Sequence, residues 1–320
     1  PTCLAFAMKL AAKQAELSDC PYVSEEAKEQ LAAAAAPPIR LVTIGSTEKK
    51  VEVGNETVLF RHEKTFFHQP GLFVRLKDTM ALPDFEAAVD EVRDYGLERV
   101  GIPLWVDGIA IENASADAAT FAKYVAAARA KTEQPLVLIS TDPAAMAAGL
   151  ENTDGSSPLI YAATADNWQE MAELAAKHKA PLAVREDGDL GALAELAEQV
   201  KGAGVEDIVV DPGVREAHNT LVALTQLRRL ALKSNFRPLG YPIITFPGEG
   251  AETPEQELIL AGQHIAKYAG VIVLDHFDAA GIYPLLALRQ NIYTDPQKPI
   301  QVQPGLYEIN GPKDTDPVLT

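Results

Sequence analysis

PLAVREDGDLGALAELAEQVKGAGVEDIVVD, at residues 181–211, is the stretch whose reading decides the fold. Its two ends, PLAVRE at 181–186 and DIVVD at 207–211, are short apolar runs without the alternation of a half-exposed strand. Such runs belong to strands buried on both faces, as parallel strands are. Between them, Asp187-Gly188 has the chemistry of a turn and Leu190–Lys201 reads as a helix. Strand, helix, strand is the unit from which parallel sheets are built.

The same alternation extends in both directions. Upstream, GLFVRL at 71–76 precedes a helix over Pro83–Tyr95, and GIAIE at 108–112 precedes one over Ala116–Lys131. PLVLIS at 135–140 precedes Pro143–Leu150, and LIYAA at 159–163 precedes Asn167–Lys179. Downstream, DIVVD precedes Arg215–Lys233, YPIITF at 241–246 precedes Pro254–Tyr268, and VIVLD at 271–275 precedes Ile282–Asn291. Eight consecutive strand–helix units predict an α/β protein with a closed TIM (β/α)8 barrel, a fold of typically about 250 residues. An open doubly wound sheet is the alternative. The lack of a Gly-x-Gly-x-x-Gly turn after the first strand counts against it.

Ahead of the repeating part, Leu41–Gly45 and Lys50–Phe60 read as strands. Val51, Val53, Val58 and Phe60 alternate around Gly54-Asn55, which predicts a hairpin covering the bottom of the barrel. Further upstream, Phe6, Leu10 and Leu17 have helical spacing within 4–17, and Ser24-Glu25-Glu26 opens a second short helix. Pro37-Pro38 ends it and marks a boundary. The expected organisation is a small domain over 1–38, a linker and hairpin over 39–70, the barrel over 71–300 and a linker over 301–320. The last segment ends in the acidic, proline-containing GPKDTDPVLT.

Composition is that of an ordinary globular protein, 47% hydrophobic and 23% charged over 320 residues. No apolar run approaches the roughly 20 residues that span a membrane. Net charge is -17, from 45 acidic against 28 basic residues. That excludes a basic nucleic-acid footprint. Two cysteines and no secretory peptide indicate a reducing compartment, so the expected location is cytoplasmic.

Barrel active sites form where strands end. The polar residues there are Arg75, Asp78, Asn113, Asp142, Asp166, Asn167, Arg185, Glu186, Asp187, Asp211, Arg215, Asp275, His276 and Asp278. Asp211 with Asp275 could pair as acid and base, or several carboxylates could hold a hard cation. Helix caps and turns account for most of them instead. Asp142-Pro143 is a cap with proline at the first helical position, and Asp166-Asn167 precedes a helix. Asp187-Gly188 and Asp211-Pro212-Gly213 are turns. Gly248-Glu249-Gly250 sits where barrels bind phosphate, but its acidic neighbours repel phosphate. His276 is the one histidine well placed for chemistry, and no His-Glu-x-x-His, Gly-x-Ser-x-Gly or P-loop pattern occurs.

The remaining motif is PTCLAFAMKLAAKQAELSDCP, with the chain's only cysteines, Cys3 and Cys20. By spacing alone they could be ordinary thiols. The segment resembles the iron–sulfur segment of the large (gamma) subunits of corrinoid iron–sulfur proteins, where Cys-x2-Cys-x4-Cys-x16-Cys holds a 4Fe–4S cluster. Cys3-x16-Cys20 is similar to the last interval, and PTCLAFAMKLA to the family wording. The resemblance implies two further cysteine ligands upstream of Pro1 and a cobalamin-binding domain beyond residue 320. It implies cofactor and metal roles for Cys3 and Cys20, and no catalytic residue in a barrel that serves as scaffold.

The implied function is carriage of a methyl group on corrinoid cobalt. The group comes from methyltetrahydrofolate or methyltetrahydropterin, by way of a methyltransferase, and passes to CO dehydrogenase/acetyl-CoA synthase. The implied partners are the small subunit, as a heterodimer, and a reductive activator protein. Most of the leucine-rich faces at Leu224, Leu227, Leu230 and Leu285, Leu286, Leu288 must pack on the barrel itself, and the resemblance implies that a partner barrel adds contact there. A free-standing pterin-dependent methyltransferase-like barrel enzyme is the alternative.

Overall fold

The computed structural model describes residues 37–294, apart from 64, 65 and 67, and the isolated positions 6, 24 and 313. The helices expected over 4–17 and 24–36, both cysteines and the linker over 301–320 lie outside the described residues.

All eight predicted strand–helix units are present. The barrel strands are β3 (Gly71–Lys77), β6 (Gly108–Glu112), β7 (Leu136–Ile139), β8 (Leu159–Ala163), β9 (Leu182–Arg185), β10 (Ile208–Asp211), β11 (Ile244–Thr245) and β12 (Val271–Leu274). Their helices are α1 (Leu82–Asp94), α2 (Ala118–Lys131), α3 (Pro143–Leu150), α4 (Trp168–His178), α5 (Leu190–Gly202), α6 (Ala217–Lys233), α7 (Pro254–Ala266) and α8 (Ala279–Tyr293). The strands run parallel in the order β10-β9-β8-β7-β6-β3-β12-β11. Between β10 and β11 one bridge, Val210 to Ile243, nearly closes the ring. The run YPIITF predicts a strand that begins at Tyr241, but Pro242 has no N–H to donate to a ladder. Only its carbonyl takes part, accepting from Val210 N at 2.9 Å.

The two faces of each strand separate cleanly. Leu72, Val74 and Leu76 of β3, with Ile109 and Ile111 of β6, pack outward against the helices. Phe73, Ala110, Val137, Leu159, Ala183, Val209, Ile244 and Val271 fill the interior. That is the period-two consequence of strand geometry. The hairpin of β1 (Val42–Gly45) and β2 (Lys50–Val53) contributes Val42, Ile44, Val51 and Val53 to the same interior cluster, so it plugs the end where strands begin.

The hairpin itself differs from the sequence reading. β1 pairs antiparallel with β2 from Val42↔Val53 to Gly45↔Lys50, so the turn is Ser46–Lys49. Ser46 Oγ accepts from Lys49 N at 3.1 Å there. Gly54-Asn55 is where the second strand ends rather than where the hairpin turns. Gly54 has φ +97, and a Cβ there would lie 2.0 Å from Arg40 O. A second hairpin, β4 (Gly96–Arg99) with β5 (Ile102–Trp105), was not foreseen. It turns at Val100-Gly101, both at positive φ. Half of its strand residues are exposed and only Leu104 is buried, so the strands lack the buried apolar run that marks the others.

The leucine-rich helix faces pack on the barrel, as expected for most of them. Leu224, Leu227, Leu285 and Leu286 are buried, and Leu230 and Leu288 pack half-buried on the same core. The large apolar side chains left outside among the described residues are others, chiefly Ile259 on α7, Val100 and Trp105.

Both ends of the described body are tied beside the hairpin. Arg237 Nη1 donates to Pro37 O at 2.6 Å, and Arg40 N donates to Gly240 O at 2.9 Å. Arg61 donates to Ile292 O at 2.6 Å, Asn291 O at 2.7 Å and Thr294 O at 3.0 Å, satisfying carbonyls that the end of α8 leaves open.

Candidate functional site

Two or four residues beyond the interior apolar layer, the inward positions become polar. Phe73 leads to Arg75, Ala110 to Glu112, Leu159 to Tyr161, Ala183 to Arg185, Val209 to Asp211 and Val271 to Asp275, while Val137 and Ile244 lead to the apolar Ile139 and Phe246. Strand periodicity alone therefore gathers a charged layer at the mouth. The sequence reading had named Arg75, Arg185, Asp211, Arg215 and Asp275. It missed Glu112, Tyr161 and Phe246, although counting every second residue would have found them.

Two guanidiniums organise the layer. Arg75 Nη2 donates to Asp275 Oδ2 at 2.6 Å and Nη1 to Glu249 Oε1 at 2.8 Å, with Glu112 Oε2 3.5 Å from Nε. Arg215 grips Asp211 with both Nη atoms, at 2.9 and 2.8 Å, and Nε donates to Glu249 Oε2 at 2.5 Å. Tyr161 OH donates to Asp211 Oδ2 at 2.7 Å and receives Arg215 Nη2 at 3.2 Å. The Arg75 and Arg215 guanidinium carbons lie 5.7 and 5.1 Å from the Phe246 ring centroid. Burial works against the charge on both arginines. The hydrogen bond and charge of Asp275 on one, and of Asp211 on the other, outweigh it and raise both above the ordinary value. Burial, then the charge of Asp211, hold the Tyr161 hydroxyl well above its usual range.

Asp211 and Asp275 thus each face a separate arginine rather than acting as a pair. Among the described residues no group of three acidic, histidine or cysteine side chains is placed to hold a metal. His276 is committed through Nδ1 to Glu257 Oε2 at 2.7 Å. Glu257, buried on α7, also accepts the backbone N–H of Asp275.

The other predicted positions resolve into loop and helix architecture. Asp142 caps α3 through Ala144 N at 2.9 Å, and Asp278 caps α8 through Gly281 N at 2.8 Å. Asp211 Oδ1 also closes its turn on Gly213 N at 2.8 Å, and Asp187 pairs with Arg185 Nε at 2.9 Å. Asp78 receives Ser115 N at 2.7 Å and Ser115 Oγ at 2.6 Å. Asn113 Nδ2 donates to Ser140 Oγ at 3.2 Å. Asp166 and Glu186 lie on the rim, Asp166 exposed and Glu186 half-buried. Asn167 departs from its expected role, since its side chain does not cap α4. Its Nδ2 donates to Thr141 O at 2.8 Å and its Oδ1 accepts Thr164 N at 2.7 Å, stitching two strand ends together.

Beneath the layer, His264 of α7 is 2% exposed, and neither ring nitrogen has a hydrogen-bond partner. Burial, with the charge of Arg215, lowers it to about 4. The folded protein therefore holds this imidazole neutral, while the unfolded chain protonates it below its ordinary 6.5. Stability is full above that value and falls as pH drops towards about 4. At about 1.4 kcal/mol per unit, the loss reaches about 3 kcal/mol. Urea unfolding of wild type and His264→Leu at pH 7 and pH 4.5 is expected to show a shallower acid loss in the variant; equal slopes would exclude His264 as the cause.

A family model described as CO dehydrogenase/acetyl-CoA synthase delta subunit matches residues 41–320, and one for an Fe-S cluster matches residues 1–22. The chain is 42% identical over 318 residues to the corrinoid/iron-sulfur protein large subunit of Moorella thermoacetica, covering 99% of this chain and 71% of that protein. It is 35% identical over 332 residues to the acetyl-CoA decarbonylase/synthase complex subunit gamma of Methanopyrus kandleri, with the same coverage of 99% and 71%. Among solved structures, dihydropteroate synthase from Thermus thermophilus superposes with a TM-score of 0.54 at 15% identity, over 80% of this chain and all of that one. At that identity the likeness concerns the barrel fold.

Proposed function

Because the chain belongs to the CO dehydrogenase/acetyl-CoA synthase delta subunit family, we propose that it works as the large subunit of a corrinoid iron–sulfur protein. What carries the reading is the combination of a barrel of this family with the Cys3-x16-Cys20 segment in one chain. Thiolates are the donors iron–sulfur clusters take, and these two make half of the usual four. In this reading Cys3 and Cys20 each hold one iron of a 4Fe–4S cluster, which when bound passes single electrons towards corrinoid cobalt. The methyl group travels on that cobalt, from a methyltetrahydrofolate or methyltetrahydropterin methyltransferase to acetyl-CoA synthase.

The barrel's part in this is to be a rigid body. Its mouth supports that role, because Arg75 and Arg215 are held by the chain's own carboxylates in this structure. Both ends of the described body leave it on the hairpin side, away from the mouth. A pterin-dependent barrel enzyme would need the mouth for its substrate. The partners of the proposed assembly are a small subunit, the methyltransferase, acetyl-CoA synthase and a reductive activator. No helix among the described residues is long and apolar enough to cross a membrane.

The test is co-expression of the intact protein with the small subunit. A tight one-to-one pair is expected, with an interface above about 2,000 Å2 as obligate contacts usually have. It should show the broad visible absorption of a 4Fe–4S cluster and transfer methyl groups only with corrinoid bound. Separate monomers at micromolar concentration, or methyl transfer from a methylated pterin without corrinoid, would refute the assignment.

A further inference from the structure

Of the carboxylates that meet Arg75 and Arg215, Glu249 is the one that belongs to a loop rather than a strand end. It sits in the short turn Pro247–Gly250, and its side chain is 32% exposed. The turn lies tight on the mouth because both neighbours are glycines. A Cβ on Gly248 would fall 2.5 Å from the Asp275 carboxyl carbon, and one on Gly250 would fall 2.0 Å from Arg215 O. Held there, Glu249 places one oxygen on each guanidinium, 2.8 Å from Arg75 Nη1 and 2.5 Å from Arg215 Nε. This is how two arginines clamp a bound carboxylate.

The receiving groups are prepared without Glu249. The Arg75 side chain is only 9% exposed, is oriented by Asp275, and keeps a buried Nε with no hydrogen-bond partner. Arg215 is oriented by Asp211 and Tyr161. Both guanidinium carbons also lie against the Phe246 ring, 5.7 and 5.1 Å from its centroid. We propose that Arg75 and Arg215 form a binding site for a small monocarboxylate, which the chain's own Glu249 occupies in this structure.

Charge selects the ligand class. Glu112, Asp211 and Asp275 stay in place around the two arginines. Exchanging one carboxylate for another leaves their balance unchanged, whereas a phosphate dianion would add to an acidic surround. Glu249 competes with any external ligand, so wild-type affinity is reduced by the fraction of time the turn is closed.

The test uses the intact protein, wild type and Glu249→Ala, with sodium acetate as probe and sodium chloride at matched ionic strength. Thermal unfolding of Glu249→Ala is expected several degrees below wild type, with acetate restoring roughly half of the loss and chloride restoring none. Saturation-transfer NMR should show the acetate methyl contacting Glu249→Ala, more weakly wild type, and not at all the double variant Glu249→Ala with Arg75→Met. Should Glu249→Ala not fold, Glu249→Gln takes its place, since its carboxamide keeps the turn filled but binds guanidinium more weakly. Equal effects of acetate and chloride, or an acetate contact that survives loss of Arg75, would overturn the proposal.

Discussion

Arg228→Ala is expected to destabilise the protein by about 3–5 kcal/mol, the usual cost of stripping one partner from a buried ion pair. Arg228 lies on α6 with its side chain 5% exposed, and Glu56, at 8%, lies 3.2 Å from its Nη2. Nε and Nη2 also donate to Val58 O, at 3.1 and 2.8 Å. The rings of Phe66 and Tyr268 lie 5.4 and 5.1 Å from the guanidinium carbon. One side chain thus ties the segment after β2 to α6 and to the end of α7. Burial lowers the affinity of Arg228 for its proton, and Glu56 opposes that. Removing the arginine leaves a buried carboxylate without this cation and two of the segment's contacts unmade. Urea unfolding measures the loss. The double change Glu56→Leu with Arg228→Met should cost less, because no buried charge is left unpaired, although the hydrogen bonds of His68 N and Val58 O to these side chains are lost in it. If the single and double variants lost equal stability, packing rather than charge would be the cause.

Cys20→Ala in the intact protein is expected to abolish the four-iron cluster, or to convert it to a smaller one. A cluster iron that loses its thiolate has no substitute among ordinary side chains of comparable softness. The readout is the visible absorption and electron paramagnetic resonance of the purified, anaerobic protein, which does not depend on methyl transfer. Reductive recovery of oxidised cobalt should be lost with the cluster, while methyl transfer by corrinoid already reduced by chemical means should persist. Cys3→Ala should behave the same way. A full four-iron spectrum from either variant would remove that residue from the ligand set.

The barrel was legible because each parallel strand is buried on both faces and so appears as an uninterrupted apolar run. LIYAA and VIVLD are found by eye for that reason. The β4–β5 hairpin escaped for the opposite reason, as its residues are neither uniformly apolar nor strictly alternating. The hairpin at β1 and β2 was found but mis-turned. Gly54-Asn55 has a turn's composition, yet the glycine there serves a close approach to Arg40 O. At the mouth, single acidic residues were explicable as caps, and most of them are. What the sequence could not reveal is that Glu249 reaches two arginines far from it in the chain, since that depends on how the ring brings the ends of β3 and β10 beside the turn after β11.

The thin place in the ring has a mechanical consequence. Neighbouring strands elsewhere share ladders, whereas β10 and β11 share one bridge, and β11 holds β12 by only two paired positions. Yet Arg215, following β10, crosses that line to Glu249 and lies over Phe246, both following β11. The cylinder is therefore riveted by charge along the one meridian where the backbone barely holds it. Opening of the wall is expected to begin there, since local opening follows the least protected hydrogen bonds.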